Sequence, residues 1–211
     1  MNDILEKLDD KNIELCKTIA GAKDSIDVYR IISLNAKIIN EKGGGKHFFG
    51  HLQNIEIKHL ALELCKMFEN EGRYELTSIP AVLKYITSNT PPIKDAEAIN
   101  KFMSKHANGT ETISEVYSLF LEQHQNYIDI IKEVRDKKIA HPEDIQIGGI
   151  LPSYDILETL LNFSIDFYSM ISIAYIGVSP VNYEHYTQIA GSLVNLLHKI
   201  GIEKVEREFL E

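Results

Sequence analysis

From Ile4 to Ile39 apolar residues return every three or four positions: Leu8, Leu15, Ile19, Ile26, Tyr29, Ile32, Ala36 and Ile39. That spacing paints one stripe on a helix, which must be covered by other helices or by a sheet. Almost every later segment carries the same period. No alternation of apolar and polar residues is long enough for a useful strand, and there is no internal repeat. The expected fold is therefore all-α, an antiparallel bundle of six or seven helices joined by short loops.

The stops between helices can be read from their chemistry. A break near Gly21 is one expectation. "EKGGGK" (41–46) is a turn, because three glycines are too costly inside a helix. A second helix is expected from about His47 to Phe68, followed by the polar turn "ENEGRYE". Ser78 has the chemistry of an N-cap, with Pro80 in the first turn of "AVLKYITS". "NTPP" (89–92) ends that helix, since the residue before a proline avoids helical geometry. A short amphipathic helix should span 94–106, with "ANGT" (107–110) as its stop. Thr112 and Glu115 form a capping box opening a long helix with the stripe Ile113, Val116, Phe120, Tyr127, Ile131 and Val134. "GGILP" (148–152) reads as a loop. Further helices are expected at about 153–176 and 182–209, with Pro180 and Asn182 between them. The chain is read as one domain over 1–211, with a core at roughly 25–175 and the helix 182–209 packing on it.

Composition narrows the functional classes. Net charge is −9, with 22 Lys+Arg against 31 Asp+Glu, so no global positive field draws nucleic acid to the surface. Contact with RNA would need a local positive pocket, and Lys132, Arg135, Lys137 and Lys138 offer one against Glu133 and Asp136. Two widely separated cysteines, Cys16 and Cys65, fit reduced thiols in a cytosolic protein. The acidic, amphipathic "MNDILEKLDD" is not a signal peptide. The most apolar stretch, "FSIDFYSMISIAYIGV" (163–178), is short for a membrane span and carries Asp166, so a buried helix is expected. A cytoplasmic location and no membrane follow from these expectations.

Two motifs fail. "GGGKH" (43–47) lacks the glycine that a phosphate-binding loop needs at the position of Asn40, has His47 where Ser or Thr belongs, and follows no strand. His47 and His51 stand one helical turn apart, which is ligand spacing, but zinc needs further ligands. His59 points about 80° away from His51 around the same helix. An aromatic-rich packing face is the preferred reading, and no metal or cofactor is expected.

"EVRDKKIAHPEDI" (133–145) is more productive. In a continuous helix Arg135 and His141 would point about 240° apart and be separated by about 9 Å of rise, so they could not grip one phosphate. Pro142 pushes His141 out of helical geometry, so the helix should end near Ala140 and let His141 swing round. Val134 faces the core, which puts Arg135 at the stripe's edge with its stem packed and its guanidinium in a groove. Arginine suits bidentate contact with a phosphate gaining charge, and histidine can move a proton at an RNA oxygen, with no metal required. Simpler alternatives remain. Cations in a last turn complement the helix dipole. Arg135 could also pair with a carboxylate such as Asp144 while His141 merely ends the helix.

"RDKKIAH" resembles the signature of HEPN domains, all-α proteins of prokaryotic conflict systems: Arg, a polar residue, a few variable positions, then His. Arg135, Asp136 and His141 fill those places. "FFGHLQNIEIKHLALELCKMFEN" (48–70) followed by "RYELTSIPAVLKYI" (73–86) resembles the abortive-infection U branch, in which a Lys-x-Phe-Glu-like helix end precedes a Ser-Ile-Pro-like helix start. The resemblance extends from about residue 25 to 175. It implies a metal-independent endoribonuclease, a toxin or phage-defence effector acting as a homodimer, with RNA as substrate and an antitoxin as a further partner. Arg135 would stabilise the phosphate, His141 would serve as general acid or base, and Asp136 would orient one of them. Lys132 and Lys138 would contact the substrate. The 2′-hydroxyl would attack the adjacent phosphate and leave a 2′,3′-cyclic end. The alternative is a catalytically silent binding or scaffold module of the same fold.

Overall fold

The computed structural model describes residues 2–41, 45–70, 78–107, 109–136, 151–183 and 187–202, and among them every regular element is helical. Helix α1 spans Asn2–Leu34, α2 Ala36–Glu41, α3 Lys46–Phe68 and α4 Ile79–Asn89. They are followed by α5 (Ala96–His106), α6 (Ile113–Val134), α7 (Tyr154–Ile171) and α8 (Gln188–Lys199). After α7 the chain widens into a π-helical turn over Ser172–Ile176. The expected caps form. Ser78 Oγ accepts from the Ala81 N–H, and Thr112 and Glu115 close a reciprocal capping box.

α1 is the spine. Pairs along it run Gly21–His59, Ser25–Glu56 and Ser33–Gln53, so α3 lies antiparallel to it. Asn12–Ser172 and Arg30–Tyr154 place α7 and its π-turn antiparallel on another face. The stripe Leu8, Leu15, Ile19 and Ile26 is fully or nearly fully buried in the main core with Leu60, Leu64, Phe163 and Phe167. Each such side chain contributes about 1.5–3 kcal/mol of burial. A second, smaller cluster joins Val28, Ile31 and Ile32 to Phe49, Leu193 and Leu197, and this is where α8 docks.

Four boundaries differ from expectation. α1 runs straight through Gly21; a Cβ there would stand 3.2 Å from His59 Cε1, so the glycine lets α3 pack close and does not break the helix. The break falls at Asn35, whose buried Nδ2 donates to the Ile31 carbonyl. This extra break separates α1 from α2. α8 is shorter than 182–209: it starts only at Gln188, after the Thr187 cap, and ends at Lys199 before Gly201 (φ 86°), a left-handed position that stops a helix. On α6 the buried face takes Tyr117 and Ile128 as well, while Tyr127 is only half-buried. Among the described residues one helix, Tyr154–Ile176, is long and apolar enough to cross a membrane, and 61% of its apolar window is buried inside the protein as a core helix.

Candidate functional site

The C-terminal ends of α3 and α6 meet. Glu69 follows the last residue of α3 in an extended conformation, and Arg135 follows the last residue of α6. Arg135 Nη1 donates to both Glu69 carboxylate oxygens, at 3.0 and 2.9 Å, and Nε donates to Asp136 Oδ1 at 2.8 Å. The expected edge position holds: Val134 is buried, and the Arg135 side chain is 24% exposed. α-Helical geometry ends at Val134, and Arg135 and Asp136 lie in a wider π-like turn. Hydrogen bonds from Arg135 to Asp136 and to Glu69 raise its pKa further, so it is a permanent cation. Lys132 is half-buried on the preceding turn. Arg135 and Lys132 both act on the Cys65 thiol, yet burial dominates and pushes that thiol up to about 11, so it is not a nucleophile at neutral pH.

Of the expected site, the structure brings together Arg135, Asp136 and Lys132. His141, Lys138, Pro142 and Asp144 lie outside the described residues, as does the expected helix end near Ala140. Glu69, which the sequence argument left out of the site, is the partner that takes most of the guanidinium. Asp136 takes Nε–H, so Nη2 is the guanidinium nitrogen outside these bonds. The cation also sits where two helix dipoles present their negative ends.

The histidines of α3 do not gather a metal. His47 and His51 are exposed, and of the aromatic pair beside them only Phe49 is buried; Phe48 is 59% exposed. His59 turns to a different task. Its Nδ1 is 2.8 Å from Ser25 Oγ and its Nε2 3.4 Å from Glu63 Oε1. The Ser–His–Glu order has the look of a nucleophilic triad, but Ser25 has no exposed surface and also donates to Glu56 Oε2 at 2.8 Å. No acyl group can reach that hydroxyl, so the cluster cross-links α1 and α3. Among the described residues no three His, Cys, Asp or Glu side chains come together as ligands for a metal ion.

The chain matches the HEPN family described as AbiU2 over residues 5–196, which covers the α3–α4 stretch, the Arg135 region and α7. No curated protein and no solved structure matches it. The match runs over most of the chain and the described bundle is all-helical: this protein belongs to the AbiU2 family of HEPN domains.

Proposed function

We propose that this chain is a metal-independent endoribonuclease of an abortive-infection system, acting in the cytoplasm as a homodimer. The observation that carries this reading is family membership over residues 5–196 together with a permanent cation at the half-exposed end of α6. Arg135 offers Nη2 to a non-bridging phosphate oxygen and stabilises the charge that builds there. His141 of one chain takes the proton of the 2′-hydroxyl, whose oxygen attacks the adjacent phosphorus. The 5′-oxygen leaves with a proton from the second chain's histidine, giving a 2′,3′-cyclic phosphate and a free 5′-hydroxyl. Asp136 fixes the guanidinium plane through Nε. Lys132 and Lys138 hold flanking phosphates, and an antitoxin would act by covering this surface.

One observation favours the alternative, a silent binding or scaffold module. Glu69 and Asp136 already occupy three N–H···O contacts of Arg135, and a phosphate arriving there meets two carboxylates. Purified protein incubated with total RNA in EDTA separates the readings. The enzyme predicts cleavage that falls about 10²–10³-fold in Arg135→Ala and about 10²–10⁴-fold in His141→Ala, with both variants folded. Cleavage at the wild-type rate by either variant removes the site. No cleavage by wild type in any buffer leaves the module.

A further inference from the structure

A second charged site lies away from the Arg135 region. Phe120 in its wall precedes Arg135 by fifteen residues on α6, about 22 Å along the axis. α5, α6 and α7 line an open cleft of about 740 Å³, flanked by the chain at 180–183. That volume falls within the range of small-molecule sites. His106, the last residue of α5, is held from three sides. Its Nε2 is 2.8 Å from Asp166 Oδ2, and its ring lies 4.9 Å from both Phe102 and Phe163. Lys105 Nζ reaches the same Asp166 oxygen at 2.6 Å. Lys101, one turn earlier, also lines the cleft, and no ion pair of Lys101 is seen among the described residues. Asn162 and Thr159 add neutral hydrogen-bonding groups, and Asp166 is the only acid among the described residues of the wall.

We propose that this cleft binds a small phosphate-bearing organic molecule, with the phosphate between Lys101, Lys105 and His106. Asp166 accepts from Nε2–H, so Nδ1 donates to an anion when the ring is the doubly protonated imidazolium, a form that an arriving phosphate itself favours. Phe102 and Phe163 fix the ring plane, so little rotamer freedom is lost on binding. Among the described residues the wall sets two lysines against one carboxylate, a local positive surplus inside a chain of net charge −9, and a cleft concentrates that field. The Asn162 amide, and the Thr159 oxygen as an acceptor, suit the hydroxyls of a sugar. The proposal uses none of the residues of the ribonuclease reading, so either can fail alone.

Calorimetric titration of the full chain with AMP, with ribose 5-phosphate and with inorganic phosphate tests it. We expect saturable binding of at least one organic phosphate, weakened about tenfold by Lys101→Glu, an exposed position whose reversal leaves the fold intact. AMP well above ribose 5-phosphate identifies a nucleotide; equal binding identifies the sugar phosphate; both support the cleft. No saturation by either organic probe up to about 10 mM, or a loss of less than about threefold in Lys101→Glu, overturns it. RNA cleavage by Lys101→Glu, assayed in parallel, reports on the Arg135 site separately.

Discussion

The two charged sites beside α6 are built in opposite senses. At the Arg135 end one cation is bracketed by two carboxylates, Glu69 and Asp136. In the α5–α7 cleft one carboxylate, Asp166, is bracketed by Lys105 and His106, with Lys101 nearby. The motif that resembles a catalytic signature therefore sits where its charge is largely compensated, and an unremarked stretch carries the surplus. Residue type says what chemistry a side chain can do, while pairing decides whether it is available to a ligand.

The comparison can be broken in several ways. The largest expected effect is on what the sites share. Phe163 stacks on Phe120 at 3.7 Å and packs edge-on to His106, so Phe163→Ala should cost about 3–5 kcal/mol in denaturant unfolding. A cost below about 1 kcal/mol would mean that the cleft wall is not part of the common core. Next come the ion pairs themselves. Glu69→Ala leaves the half-buried Arg135 with Asp136 as its remaining ion-pair partner among the described residues and should cost about 1–2 kcal/mol, between the values for exposed and buried pairs. Lys105→Ala, with a side chain 59% exposed, should cost less than about 0.5 kcal/mol. Equal costs would contradict the difference drawn between the two sites.

Smaller still is the response to acid. Burial pushes Asp166 upward, but hydrogen bonds from His106 and Lys105 outweigh it and hold the carboxyl below the usual range. Its contribution is therefore present above the ordinary carboxylate pKa and is lost as pH falls toward the folded value. Asp27 is the converse. Burial raises it despite the Lys23 hydrogen bond, so its ionised form costs the folded state and acid relieves that cost. Melting temperatures between about pH 3 and 6 should decline less steeply in Asp166→Asn and more steeply in Asp27→Asn than in wild type. The reverse order would refute the assigned signs. The smallest effect is Lys101→Ala, which should alter stability by less than about 0.5 kcal/mol while still weakening an organic phosphate in the cleft.

Much of the helical layout was legible in the sequence. The caps at Ser78 and Thr112 and the stop at "NTPP" are local chemistry, and they form where expected. Gly21 looks like a break in the sequence, but its reason lies on another helix: a Cβ there would crowd the His59 ring at 3.2 Å. The edge position of Arg135 followed from its neighbour Val134, but Glu69 is 66 residues away in sequence and no periodicity points to it. The cleft did leave one signal. Asp166 is a charge within the most apolar stretch, and a half-buried carboxylate there requires cationic partners.

The sequence by itself determined the helices, most of their ends and the family, because period, caps and motif spacing act within a turn or two of the chain. The tertiary structure alone decided which charges are paired. Pairing depends on distances of about 3 Å between side chains brought together by folding, here Arg135 with Glu69 and His106 with Asp166.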